Sequence, residues 1–165
     1  MASVLDKDVS SRGVFRQHDK TDDLDASLLL LPIMGFLPPD DARIKATVLA
    51  IADELTEDGL VLRYRTDQTD TGFSGKEGTF TICSFWLVST LAMIGETKRA
   101  HALCQKLLSL AGPLLLYAEE IDVTTGQHLG NFPQAFSHLA LVDALSRLID
   151  AEEAKAKERS ASATA

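Results

Sequence analysis

Three carboxylates stand together at Glu119, Glu120 and Asp122, where the apolar run Leu114 to Tyr117 gives way to a turn. A carboxylate at the mouth of a packed layer can serve as a general base, with a second group orienting it. The turn is written in Thr124-Thr125-Gly126 and Gly130-Asn131, residue types that readily take tight or left-handed backbone. Pro133 suits a first helical position, and the apolar, mostly uncharged run to Ile149 predicts a buried helix behind the turn. Spacing alone also fits a solvated acidic turn ahead of a helix, and both readings stand at this point.

The elements that would position this turn follow from the hydrophobic pattern. Leu24 to Met34 is almost wholly apolar after Asp25, which predicts a helix buried on several sides, with Asp25 either capping it, the commoner role, or facing a cavity. Gly35 to Asp41 is a loop with Asp40 as the expected next cap, and Ala42 to Thr56 is amphipathic, setting Ile44, Val48, Ile51 and Leu55 against Arg43, Lys45 and Asp53. Gly59 ends that helix, Leu60 to Tyr64 reads as a short extended piece, and Asp67 to Gly75 as a polar loop. Thr79 to Ile94 contains no charged residue and predicts a second fully buried helix, with Trp86 and Phe85 as core because the run is apolar on every face. Thr97 to Leu110 is amphipathic again, and the third buried helix runs from Pro133 to Ile149. Within it His138 is expected as a hydrogen-bonded core histidine, and His128 as a turn residue.

Buried and amphipathic helices therefore alternate, with no strong strand pattern competing. Two concentric helical layers produce that order, the inner helices covered all round and the outer ones wet on one face. The expected fold class is all-α, a partial (α/α) toroid of about five helices alternating inner and outer. Residues 1–14 are expected as a disordered arm, 15–150 as the helical domain and 151–165 as a disordered tail.

Composition narrows the partners. The chain has 165 residues, 45% hydrophobic, with a net charge of −8, which suits one globular domain with a real core. No basic stripe occurs, so nucleic acid and anionic membrane surfaces are poor partners. Cys83 and Cys104 sit in apolar helical runs and are expected as buried free thiols. No C-x-x-C or Cys/His cluster is present, so neither a metal nor a cofactor is expected. Met1 to Ser11 lacks the apolar core of a signal peptide and no run reaches membrane-spanning length; a cytoplasmic location is the expectation.

The run Ala118-Glu119-Glu120-Ile121-Asp122, continuing through Thr125-Gly126-Gln127-His128-Leu129-Gly130-Asn131-Phe132-Pro133-Gln134-Ala135-Phe136-Ser137-His138, resembles the closing signature of bacterial family 15 glycoside hydrolases. That family holds glucoamylases, glucodextranases and some trehalases. Leu24-Asp25-Ala26-Ser27-Leu28-Leu29, Gly35-Phe36-Leu37-Pro38-Pro39-Asp40-Asp41, Asp58-Gly59-Leu60-Val61 and Glu77-Gly78-Thr79-Phe80 match it in order, so the resemblance spans roughly Phe15 to Ile149. It implies the C-terminal part of an (α/α)6 catalytic barrel that cleaves terminal α-glucosidic bonds with inversion, using an acid and a base roughly 6.5–9.5 Å apart. It makes Glu119 the general base in a Glu-x-x-Asp pattern closed by Asp122, with Glu120 the adjacent alternative. It places Arg63, Tyr64 and Arg65 where sugar hydroxyls are held, and Glu77 and Gly78 at the same pocket. The family's acid lies in a Trp-Glu segment, and this sequence has no Trp-Glu pair. The resemblance thus implies an α-glucoside substrate, and either a complementary N-terminal half or self-association. The alternative is a non-catalytic truncated remnant or interaction module.

Overall fold

The computed structural model describes residues 8–65 and 78–162. Glu77 and the polar loop from Asp67 to Gly75 lie outside the described residues. From residue 8 the chain doubles back so that Val9 bridges Phe15, and Phe15 is buried. A 3₁₀ turn at Ala26–Leu29 leads into the short helix α1 (Leu30–Ile33). Next come α2 (Ala42–Glu54), β1 (Thr56–Glu57), β2 (Leu60–Val61), β3 (Thr79–Phe80) and α3 (Thr81–Met93). The chain continues with α4 (Thr97–Leu110), β4 (Glu120–Ile121), β5 (His128–Leu129) and α5 (Ala135–Ser162).

α3 is the centre, packed against α4, α5, α2 and the 3₁₀ turn. Ten of its residues are buried, from Thr81 to Ala92, as expected for a charge-free run. The hydroxyls of Ser84, Ser89 and Thr90 are answered from within or nearby, while Thr81 Oγ1 is buried with no partner among the described residues. Thr90 Oγ1 donates to the Trp86 carbonyl at 3.0 Å, Ser84 Oγ accepts from Val61 N–H at 2.9 Å, and Ser89 Oγ donates to Asp143 at 2.9 Å. Buried hydroxyls need such partners. α2 and α4 bury one face each and wet the other, so the alternation of inner and outer helices holds. Gly95, at φ +88°, makes the turn between α3 and α4, a backbone region open to glycine without steric cost. Cys83 and Cys104 are free and buried.

Several local expectations need correction. Leu24 to Met34 is not one buried helix: it is the 3₁₀ turn plus α1, with Pro32 inside α1 and Met34 74% exposed. Proline lacks the N–H that a longer helix needs there. Asp25 does cap it, accepting from Ser27 N–H at 2.7 Å. The cap of α2 is Asp41, not Asp40, because Asp41 stands immediately before Ala42 and accepts from Arg43 N–H at 2.9 Å. Pro133 precedes α5 and follows a cis peptide rather than opening the helix. α5 continues to Ser162, beyond the predicted end near Ile149. Its inner part is buried on one side only: Ser137, Ala140, Ala144 and Leu148 face the core, while Phe136, Leu139, Val142 and Ile149 are exposed.

A small sheet is the element that hydrophobic patterning did not foretell. β3, β4 and β5 form an antiparallel sheet in the order β3-β4-β5, with Phe80 opposite Glu120 and Glu120 opposite Leu129. Two-residue strands are too short to show a period of two, so only the turn residues announced them.

Candidate active site

The carboxylate turn is anchored by the residues just before it. Tyr117 and Ala118 are buried. The Tyr117 ring meets Phe85 edge-on at 5.3 Å and stacks on His128 at 6.1 Å, while its hydroxyl donates to the Leu107 carbonyl at 2.8 Å. Burial pushes that phenol up to about 12. Ser137, at the start of α5, donates to the Ala118 carbonyl at 3.1 Å, and Gln134 N–H donates to the Tyr117 carbonyl at 2.9 Å. The inner helix is thereby tied to the segment that carries Glu119.

Glu119 is held on both sides of its backbone. Its N–H donates to the Asn131 carbonyl at 3.0 Å, and its carbonyl accepts from Thr81 N–H at 2.9 Å. Its side chain lies over the Gly130-Asn131 turn, where Oε2 accepts from Asn131 Nδ2 at 3.0 Å and from Asn131 N–H at 3.4 Å. Gly130 is required for this approach: at φ +75° an added Cβ would stand 3.0 Å from Glu119 Oε2. Among the described residues Oε1 has no hydrogen-bond partner.

Successive side chains in extended backbone point to opposite faces, and this separates the adjacent carboxylates. Glu119 lines a cleft of about 320 Å³. Glu120 is turned to the other side, where Oε2 accepts from Gly78 N–H at 2.8 Å. Asp122 shapes the hairpin, its Oδ1 accepting from Thr124 N–H at 2.8 Å and Thr125 N–H at 3.0 Å. Gly78 therefore meets Glu120 rather than the cleft.

The cleft around Glu119 has apolar walls from Phe80, Ile82, Trp86 and Phe136 and polar groups from Asp25, Arg63 and Gln134. This mixture, and a volume near the lower end for small-molecule sites, suits an uncharged polar ligand with ring faces. Among the described residues, Arg63 is the one predicted hydroxyl-binding residue found in the lining. Its guanidinium sits 5.9 Å from the Phe80 ring centre and 5.5 Å from that of Tyr64, a stacking that orients the planar donor. Tyr64 supports Arg63 rather than lining the cleft. Arg65 points elsewhere, donating to the Glu54 carbonyl.

Trp86 corrects the sequence reading. It is not core but half-buried, and it lines the cleft one helical turn from Ile82. A run apolar on every face hides which stripe is open, and the i, i+4 pair Ile82 and Trp86 becomes visible only once the neighbours are placed. Phe85 is buried core, as expected. Phe80, Gln134 and Phe136 carry no signal in the sequence as lining residues, whereas Asp25 takes both roles open to it, capping the 3₁₀ turn and lining the cleft. His138 is the hydrogen-bonded histidine expected, with Nδ1 to the Gln134 carbonyl at 2.7 Å and Nε2 accepting from Tyr117 N–H at 3.3 Å. Among the described residues no group of His, Cys, Asp and Glu is arranged to hold a metal, and no helix is long and apolar enough to cross a membrane.

The family described as "Glycosyl hydrolases family 15" matches residues 4–146. A trehalase of Mycobacterium tuberculosis is 66% identical over 152 residues, covering 92% of this chain and 22% of that protein. A trehalase of Thermoplasma acidophilum is 44% identical over 138 residues, covering 83% of this chain and 23% of its own length. The chain thus spans less than a quarter of the relatives it matches. Among solved structures, a wild-type glycosidase superposes with a TM-score of 0.73 at 22% identity, covering 88% of this chain and 41% of that one. A variant glycosidase solved in complex with glucose gives 0.72 at 22% identity over the same shares. With helical order, carboxylate turn and sequence matching along one continuous stretch, the chain belongs to glycosyl hydrolase family 15 and forms part of an (α/α)6 barrel.

Proposed function

We propose that this chain is the base-bearing part of an inverting α-glucoside hydrolase of the trehalase type. The observation that carries the reading is the placement of Glu119: its carboxylate lines the cleft with Oε2 held by Asn131 and Oε1 unpartnered among the described residues. Inversion needs a base on one face of the sugar to take a proton from water as the water attacks the anomeric carbon. Glu119 Oε1 takes that proton. Trp86 and Phe80 present faces to the C–H side of a sugar ring, while Arg63, Asp25 and Gln134 offer donors and acceptors to its hydroxyls. Trehalose is the favoured substrate because the relatives at 66% and 44% identity are trehalases.

The leaving oxygen needs a proton from a second carboxylic acid facing Glu119 across the sugar. Glu120 faces Gly78, Asp122 is spent on the hairpin, and Asp25 in the cleft accepts from Ser27 N–H and Gln17 Nε2 as the cap of the 3₁₀ turn, so none of the three supplies it. The acid then comes from the part of the barrel that packs over the exposed face of α5, where Phe136 belongs both to the cleft wall and to the open stripe. That stripe is also what favours dependence on a complementary segment over a self-sufficient interaction module.

The test is to supply the chain with the upstream region of a family 15 trehalase and follow α,α-trehalose by proton NMR. Inversion at one anomeric carbon releases α- and β-glucose in equal initial amounts, and the chain by itself releases none. Release of α-glucose only, or sustained hydrolysis by the chain unaided, would overturn the proposal.

A further inference from the structure

The Glu119 carboxylate is asymmetric in its surroundings. One oxygen, Oε2, takes two N–H groups from a single residue, the Asn131 side-chain amide at 3.0 Å and the Asn131 backbone at 3.4 Å. The contact is reciprocal, since the Glu119 backbone N–H donates to the Asn131 carbonyl at 3.0 Å. Gly130, with no side chain to obstruct it, lets the carboxylate lie down on this turn. Asn131 itself is exposed and outside the lining of the cleft. Its side chain therefore fills no core space, and among the described residues that side chain hydrogen-bonds to Glu119 alone.

We infer that Asn131 is the positioning residue for Glu119: it holds Oε2 and so leaves Oε1 as the only oxygen free to meet water. This inference rests on the reading of Glu119 as general base. A glutamate side chain has three rotatable torsions, and a base must stay within hydrogen-bond reach of the water it activates. Pinning one oxygen to a turn that is itself locked in the β4–β5 hairpin removes that freedom before the sugar arrives. The backbone half of the clamp survives any substitution, so only the side-chain amide is open to test.

Two experiments decide it. In this chain by itself, labelled with ¹⁵N, the Asn131 side-chain amide signals should move in Glu119→Ala and stay in place in Glu120→Ala, because Glu120 faces away. Signals indifferent to Glu119→Ala would overturn the contact. In the assembled hydrolase, Asn131→Ala should lower kcat about 10- to 100-fold with KM changed less than about threefold. Asn131→Asp, equal in size, should lower kcat further because it sets a second carboxylate against Oε2. Asn131→Ser should recover part of the loss through its hydroxyl donor, and no variant should change the melting temperature appreciably, since the residue is exposed. Full kcat in both Asn131→Ala and Asn131→Asp, where Glu119→Gln silences the enzyme, would sink this inference alone. An enzyme indifferent to Glu119→Gln would instead sink the assignment of the base.

Discussion

Tyr117 and His138 lock the last inner helix to the carboxylate turn. The Tyr117 N–H donates to His138 Nε2 at 3.3 Å, and the histidine fixes its own ring by donating from Nδ1 to the Gln134 carbonyl at 2.7 Å. Glu119 follows two residues later, so its position is inherited from α5 as much as from the hairpin. His138→Ala should cost about 1–3 kcal/mol, because it strands a backbone N–H at a buried residue. Urea unfolding measures this, and an unchanged midpoint would mean water or a shifted helix satisfies Tyr117 instead.

The cap of α2 makes part of the stability pH-dependent. Arg43, bonded to the Asp41 carboxylate at 2.7 and 3.0 Å through its side chain and at 2.9 Å through its backbone, lowers that carboxyl from 3.8 to about 2. A carboxyl depressed in the folded state adds stability that is present above its unfolded value and lost as pH falls toward its folded value. Asp41→Ala should therefore cost about 1 kcal/mol near neutral pH. The gap from the parent chain should narrow as pH falls from about 4 toward about 2. Unfolding curves across that range check it; a gap independent of pH would remove the Arg43 contact from the explanation. Asp40→Ala should change little.

How far the sequence could be read depends on the length over which each signal accumulates. α3 and α4 were legible nearly to their ends because a charge-free run and an amphipathic run each extend over several turns. The Glu119 turn was legible through its family-like signature, whereas the sheet that holds it is built of two-residue strands. Trp86 was misassigned because uniform apolarity conceals which side of a helix is left open. The same limit hid the division of α5, where small Ala140 and Ala144 face inward and large Leu139 and Val142 face out.

That outward stripe predicts behaviour in solution. Phe136, Leu139, Val142 and Ile149 are 66%, 67%, 63% and 53% exposed. Burying side chains of this size contributes about 1.5–3 kcal/mol each, set against the cost of association. The isolated chain should therefore self-associate at micromolar concentration, and Leu139→Glu with Val142→Glu should shift it toward monomer. Light scattering on the two proteins gives the answer. A parent chain that is monomeric and binds no hydrophobic dye would show that nothing needs to cover α5.

Glu119 and Glu120 are neighbours in sequence with opposite surroundings, one in the cleft and one against Gly78. Turnover of trehalose by the assembled hydrolase should therefore fall about 10²–10⁴-fold in Glu119→Gln, the loss expected when a general base is removed. Glu120→Gln should lose far less. Equal losses, or a larger one at Glu120, would contradict the assignment of Glu119 as the base.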